Sequence, residues 1–257
     1  MDSVHQWLYK HAGILHRDLS PNNIMYRFIE ENNARGEMER RVYGVLADYD
    51  LSSFTATMNS DYTKTSQQRT GTPPYMAHEL LRGTSPLHLY RHDLESFFYI
   101  MLLTAVRHII GTPEGEDKPR VILRRSWDIP REEWFNEPRY NVLGSLKGSF
   151  LSESQPITLS PDFEDFLPWL EDLQQCFSSG FSLAAVSHNM RMNPILKAAV
   201  NSNVAEFDDE TLGGCVTYAA IMARVPDLAG ELQGLVIRDP EYQPLPAEEP
   251  PVGTATS

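Results

Sequence analysis

The chain has 257 residues, of which 41% are hydrophobic and 22% are charged, so its composition is that of a globular protein and excludes a fibrous or wholly disordered chain. Thirty-five acidic residues against 22 Lys and Arg give a net charge of −13, which argues against a nucleic acid or an anionic membrane as the main partner. Only two cysteines are present and they form no C-x-x-C pair, which favours a cytoplasmic or nuclear protein without a disulfide framework. The longest apolar stretch, residues 97–106, is about half of what a membrane-spanning helix needs, and residues 1–10 lack the apolar run of a secretory signal.

The first part of the chain predicts the end of a helix followed by two short strands. Residues 4–12 place apolar side chains at helical spacing, and Gly13 then offers a helix stop. Residues 23–28 and 41–47 are rich in Ile, Val, Tyr and Phe, and the polar stretch 30–40 would join them as a hairpin.

The rest of the chain predicts helices and loops. Residues 48–74 are rich in Ser and Thr and predict a mobile surface segment, whereas residues 89–110 predict one long helix at the centre of the core. After a charged loop at 111–130, further helices are predicted at 139–151, 162–177, 182–191 and 212–224. Residues 239–257 contain five prolines and no Lys or Arg, and predict a Pro-rich, acidic, disordered tail.

Three short motifs follow one another in the order in which a protein kinase carries them. Residues 16–23 read H-R-D-L-S-P-N-N and fit the kinase catalytic loop, H-R-D-L-x-x-x-N. Residues 48–50, D-Y-D, close the second strand where a kinase has D-F-G. Residues 71–79, G-T-P-P-Y-M-A-H-E, resemble the end of an activation segment, G-T-x-x-Y-x-A-P-E. Three ordered motifs make coincidence improbable.

These motifs indicate phosphoryl transfer, in which positioning and charge neutralisation supply most of the catalysis. Asp18 would accept or orient the proton of the attacking hydroxyl, and Asn23 and Asp48 would hold Mg²⁺ through hard oxygen ligands. Arg17 would pair with a phosphate added to the mobile segment. The candidate acceptors of that phosphate are Thr63, Thr65, Ser66 and Thr70.

Together with R-T-G-T at 69–72 and R-H-D-L-E-S-F-F at 91–98, the motifs resemble the fungal-type protein kinase family. The specific resemblance covers residues 13–108 and is weaker from there to 238. It implies a mainly α fold with a small β-hairpin, a protein kinase-like C-lobe, over residues 1–238. It also implies a Ser/Thr-type reaction in which ATP, with Mg²⁺, gives its γ-phosphate to a hydroxyl of a protein substrate.

The resemblance also implies roles for residues around the catalytic loop. Asp93 would be a buried acid that anchors the backbone at His16 and Arg17, with His16 itself a structural residue. Thr72 would bridge toward Asp18. Glu79 would hold the activation segment through an arginine that the sequence does not identify.

Several positions depart from the family pattern. Ser20 replaces the lysine that contacts the γ-phosphate, Asp50 replaces the glycine of D-F-G and would strain the backbone, and His78 replaces the proline of A-P-E. Only fifteen residues precede His16, and they hold neither a Gly-rich loop nor a strand lysine. We therefore expect a catalytic lobe without its N-terminal lobe, inactive as this chain alone and prone to self-association through the uncovered face.

Two other functions fit parts of the sequence. A non-catalytic, pseudokinase-type interaction module is favoured by Ser20, by Asp50 and by the expected absence of an N-terminal lobe. A small-molecule phosphotransferase would also carry H-x-D-x-x-x-x-N and a strand-end D-x-D, but the long segment 48–79 is typical of kinases that act on peptides.

Overall fold

The computed structural model describes residues 4–32, 36, 38–55, 71–83, 87–111, 121–124, 131–192 and 207–223. The predicted disordered tail at 239–257 and the candidate phosphate acceptors at 63–70 lie outside these residues, as does most of the predicted loop at 111–130.

The chain begins with the predicted helix end, which leads directly into the catalytic-loop motif. Helix α1 (Val4–Trp7) continues as a π-helical turn, Leu8–Ala12, and ends at Gly13, whose left-handed φ of 62° allows its amide to donate to the Tyr9 carbonyl. Strand β1 (Ile14–Leu15) pairs antiparallel with β4 (Ser53–Phe54). The motif 16–23 follows β1 and ends in a short 3₁₀ turn.

Strands β2 (Ile24–Asn32) and β3 (Met38–Leu46) form the predicted hairpin, which is longer than the sequence pattern indicates. The polar residues that were expected to form its loop are paired in register, with Glu30 opposite Arg40. The Arg40 guanidinium lies 3.7 Å from the centre of the Phe28 ring, and this contact and the opposite charges stabilise pairing in a stretch that looks like loop.

Helix α2 (His78–Arg82) leads to the long helix α3 (Tyr90–Arg107), as the apolar run predicts. Helix α3 ends earlier than predicted because His108 begins strand β5 (His108–Gly111), which pairs with β6 (Val121–Arg124). Its side chains Phe98 and Tyr99 are fully buried, and α3 passes through the centre of the hydrophobic core.

The C-terminal half packs helices around α3. Helix α4 (Glu133–Asn136) precedes α5 (Tyr140–Ser152), and a 3₁₀ turn, Pro161–Phe166, leads into α6 (Leu167–Met192). The prediction of two helices at 162–177 and 182–191 is wrong, since α6 is continuous. Gly180 is not a helix break here: a Cβ at this position would lie 2.7 Å from the Leu212 Cβ, so the glycine permits close packing.

The predicted helix at 212–224 is also wrong for most of its length. Residues 209–215 form turns, with Leu212 and Gly213 in left-handed backbone conformations, and only α7 (Tyr218–Met222) is helical. Two consecutive residues with positive φ cannot continue a right-handed helix.

Helices α2 and α5 approach each other closely through glycines. A Cβ at Gly144 would lie 2.8 Å from the His78 carbonyl oxygen and 2.9 Å from the Arg82 amide nitrogen. The mainly α fold with small antiparallel sheets is confirmed. Within the described parts of the chain, no helix has the length and apolarity to cross a bilayer.

Candidate active site

Asp93, at the start of α3, holds the backbone of the catalytic-loop motif. Its carboxylate accepts hydrogen bonds from the amides of His16 (2.9 Å) and Arg17 (3.2 Å), the two contacts expected from the sequence, and the residue is 1% exposed. The imidazoles of His5 and His88 add contacts at 2.9 and 2.7 Å. Burial alone raises the pKa of Asp93, but its histidine contacts outweigh it and hold the pKa well below the usual range. Asp93 is therefore a buried, fully paired carboxylate.

His16 connects the catalytic loop to the strand end that carries Asp48. Its Nδ1 accepts from the Asp18 amide at 3.3 Å, which assigns the proton to Nε2, and Nε2 donates to the Ala47 carbonyl at 2.9 Å. The ring also lies 4.8 Å from the Tyr49 ring. The predicted structural role of His16 thus has a specific form: it holds two parts of the site at a fixed separation.

Asp18, Asn23 and Thr72 lie together. The Thr72 hydroxyl donates to the Asp18 Oδ1 at 3.1 Å, and the Asn23 Nδ2 donates to the Asp18 carbonyl at 2.8 Å. The first bond brings residues 54 positions apart into contact and fixes one carboxylate oxygen, so the other oxygen is available to a hydroxyl group.

Asn23 and Asp48 carry the two kinds of oxygen that the sequence analysis assigned to Mg²⁺. Because the Asn23 Nδ2 is used in the bond to Asp18, its Oδ1 is left for a cation. The Ala47 amide donates to the Asn23 carbonyl at 2.9 Å, which joins the two backbones, and the exposed Asp48 is the next residue in the chain. Carboxylate and amide oxygens are ligands that Mg²⁺ uses.

The backbone at this strand end differs from the expectation for Asp50. The strained position is Asp48, with a φ of 61°, whereas Asp50 does not have a positive φ. Asp tolerates the left-handed conformation better than most residues. The replacement of the D-F-G glycine by Asp50 therefore adds no left-handed strain.

Arg17 is 5% exposed and has a left-handed φ of 71°. Its carbonyl oxygen lies near Gly71, where a Cβ would be 3.4 Å away. The hydroxyls that were expected to receive a phosphate near Arg17 lie outside the described residues, so this pairing stays a prediction.

The partner of Glu79 is Arg91, which the sequence analysis did not identify. The Arg91 guanidinium forms an ion pair with the Glu79 carboxylate, and the His92 Nε2 approaches the same oxygen at 3.3 Å. Burial by itself raises the pKa of Glu79, but the His92 hydrogen bond and the Arg91 charge hold it well below the usual range. The run R-H-D-L-E at 91–95 carried the signal, because it places this arginine directly before His92 and Asp93.

Arg91 and Tyr90 also form hydrogen bonds to the turn segment 207–217. The Arg91 Nε donates to the Asp209 carbonyl at 2.7 Å, and the Tyr90 amide donates to the Glu210 Oε2 at 2.8 Å. The start of α3 thus holds both the end of the activation-segment motif and a distant part of the chain.

Comparison with known proteins supports the resemblance read from the motifs. Residues 3–105 match the family model described as fungal protein kinase. The matched residues include the three motifs and the R-H-D-L-E-S-F-F run. The chain is also 27% identical, over 166 residues, to the calcium/calmodulin-dependent protein kinase type I of Schizosaccharomyces pombe, a match that covers 57% of this chain and 45% of that protein. The chain thus spans less than half the length of this curated relative, and no solved structure matches.

Two buried charged residues that the sequence analysis did not predict, Glu95 and Lys147, form hydrogen bonds to the activation-segment motif. Glu95 and Lys147 are both fully buried. The Glu95 Oε1 accepts from the His78 amide (2.8 Å) and the Tyr99 hydroxyl (2.7 Å), and the Lys147 Nζ donates to the carbonyls of Pro74 (2.9 Å) and Met76. Burial lowers the pKa of Lys147 well below its usual range, although the Glu95 charge opposes this.

This network explains how His78 is accommodated where kinases carry a proline. Proline has no amide hydrogen, whereas the His78 amide and its Nδ1 both bond to Glu95. In place of the rigid proline ring, His78 thus makes two hydrogen bonds to a buried carboxylate, one from its backbone and one from its side chain.

Proposed function

We propose that residues 1–238 form a protein kinase-like C-lobe of Ser/Thr type, which transfers the γ-phosphate of ATP to a protein hydroxyl when it is joined to an ATP-binding N-terminal lobe. The observation that carries this proposal is the hydrogen bond from Thr72 to Asp18, since it joins the catalytic loop to the activation-segment motif. With one oxygen held by Thr72, the Asp18 carboxylate is oriented to receive the proton of a substrate hydroxyl.

ATP and Mg²⁺ enter this proposal through the family. Asn23 and Asp48 would hold the ion, which neutralises phosphate charge during transfer. The chain itself orients Asp18 through Thr72 and Asn23, and spaces Asp48 from the loop through His16. A chain of residues 1–257 holds no Gly-rich loop or strand lysine, so we expect it alone to bind ATP weakly and to have negligible activity.

A chimera tests the proposal. The N-terminal lobe of an active protein kinase is joined ahead of Val4, and Mg-ATP binding and a cooperative unfolding transition are established first. We expect phosphate transfer to a generic protein substrate, its loss in Asp18→Asn with ATP binding retained, and weaker Mg-ATP binding in Asp48→Ala. A chimera that folds and binds Mg-ATP but transfers no phosphate contradicts the proposal.

The second candidate function is a non-catalytic interaction module. The specific observation in its favour is Ser20, which is 2% exposed and stands where a Ser/Thr kinase places a cation near the γ-phosphate. Ser20→Lys in the same chimera discriminates between the two functions. A gain of activity indicates a weakened enzyme, whereas an inactive Ser20→Lys chimera with bound ATP favours the module.

We propose that the chain alone associates with further copies of itself. The hairpin exposes apolar side chains, with Met25, Val42 and Met38 at 49%, 57% and 66% exposure. Sedimentation velocity of residues 1–257 should show concentration-dependent dimers or larger species, and Val42→Lys should shift them toward monomer. A monomer at all concentrations contradicts this.

A further inference from the structure

An open cleft of about 330 Å³ lies on the side of α2 that faces α5 and α6, and its lining includes His78, Arg82, Ser149 and Phe181. No carboxylate is among the described residues that line it, although the chain carries a net charge of −13. A cleft with a cation and no acid is therefore suited to a negatively charged ligand.

His78 is more than nine-tenths buried and directs one ring nitrogen to this cleft. Its Nδ1 lies 3.1 Å from the Oε1 of the fully buried Glu95, so Nδ1 carries a proton and donates it. Its Nε2 lies toward Gly148 at the cleft wall, where a Cβ would be 3.8 Å away. Within the described parts of the chain, Nε2 has no hydrogen-bond partner.

The second donor is Arg82. Its side chain crosses Gly144, where a Cβ would lie 2.7 Å from the Arg82 Cγ, and so runs along α5 toward the cleft. The described residues place no acid in an ion pair with it. The half-buried Ser149 of α5 adds a hydroxyl to the lining.

A guanidinium, an imidazole backed by a carboxylate and a hydroxyl together match a phosphate monoester. Arginine binds phosphate oxygens through two N–H groups, and the Nε2 of an imidazole that donates to Glu95 through Nδ1 can accept a hydrogen bond from the hydroxyl of a singly protonated phosphate. The cleft is also larger than a phosphate ion, which leaves room for the side chain that carries the phosphate.

We propose that this cleft binds a phosphate group on a phosphorylated side chain of a partner protein. The cleft starts at His78, directly beside Glu79, so a protein held there lies next to the end of the activation-segment motif. The proposal concerns binding alone and stands apart from the proposed kinase activity.

Isothermal titration of residues 1–257 with a short phosphoserine peptide flanked by Gly and Ala tests the site, with the unphosphorylated peptide and inorganic phosphate as parallel probes. We expect Arg82→Gln and His78→Asn each to weaken phosphopeptide binding at least tenfold. Asn keeps an N–H group near the position of Nδ1, so the bond to Glu95 is retained while Nε2 is removed. Arg191→Gln removes an exposed cation near the end of α6 and should leave the affinity unchanged.

Absent phosphopeptide binding, or an equal loss in Arg191→Gln, overturns the site. Inorganic phosphate that binds as tightly as the phosphopeptide overturns the assignment to a phosphorylated side chain. If His78→Asn fails to fold, the ¹⁵N spectrum of the wild-type imidazoles decides, because the His78 Nε2 signal must move when the phosphopeptide is added. An unchanged signal overturns the proposal.

Discussion

The guanidinium of Arg91 in α3 forms an ion pair with the carboxylate of Glu79 in α2. Arg91 is 5% exposed, and its Nε also bonds to the Asp209 carbonyl. One side chain thus connects the activation-segment motif, the central helix and the turn segment 207–217.

Arg91→Ala should destabilise the protein by about 3 kcal/mol, because it leaves the Glu79 carboxylate and the Asp209 carbonyl without their donor in a mostly buried place. Urea denaturation measures the change. Arg139→Ala removes an arginine from an exposed ion pair with Glu137 and should leave the midpoint unchanged. Equal effects of the two substitutions would contradict a structural role for Arg91.

Asp93→Ala should lower the free energy of unfolding by roughly 1–3 kcal/mol, because the amides of His16 and Arg17 lose their acceptor. The matched control is Asp165→Ala, which removes an exposed carboxylate. An unchanged denaturation midpoint for Asp93→Ala would count against its anchoring role.

Thr72→Val in the ATP-binding chimera should reduce kcat about tenfold and leave the KM for ATP unchanged, because it removes the hydrogen bond that orients Asp18 but no nucleotide contact. Thr72→Ser keeps the hydroxyl and should retain most of the activity. The idea fails if Thr72→Val and Thr72→Ser have the same kcat.

Stability should fall as the pH drops below about 6.5, in part because of His92. Burial lowers the pKa of His92 to about 4, so the imidazole stays neutral in the folded protein while it gains a proton in the unfolded chain, whose histidines titrate near 6.5. This one group should contribute a loss of about 2 kcal/mol between pH 6.5 and 5.

Urea denaturation at pH 7.5, 6.5 and 5 for the wild type and His92→Gln isolates this contribution. The difference in stability between the two proteins should shrink as the pH falls. Glu79, Arg91 and His88 surround position 92 in both proteins, so the effects of their own titration on the two stabilities largely cancel. Parallel pH curves would contradict the prediction.

Gly144→Ala should destabilise the protein although alanine favours a helix, because the new Cβ would meet the backbone of α2 at 2.8–2.9 Å. Gly44→Ala is the matched control, since a Cβ there has no neighbour within 4 Å among the described residues. We expect a midpoint shift for Gly144→Ala alone. A stabilised Gly144→Ala protein would show that α2 can move away from α5.

The sequence predicted the parts of the site that lie in short motifs, because local spacing fixes them. The contacts of Asp93 with His16 and Arg17, and of Thr72 with Asp18, are present as expected. The ion pair of Glu79 was half predicted. Its arginine was not found because a surface charge and a buried one look the same in sequence.

Features that depend on distant packing could not be read from the sequence. Gly180 looks like a helix break, yet it makes room for Leu212, which comes 32 positions later. Lys147 looks like a surface residue of α5, but it is buried beneath residues 74–76. In both cases the deciding neighbour lies on another element.

The position of Lys147 has a consequence for chemical labelling. Burial lowers the pKa of Lys147, which favours the nucleophilic form of the amine, yet the carbonyls of Pro74 and Met76 and the ring of Tyr99, 3.7 Å away, cover it. An acylating reagent can therefore reach this nitrogen only while residues 74–76 are lifted away. The acylation rate of Lys147 therefore measures how often residues 74–76, on which a substrate peptide would lie, open.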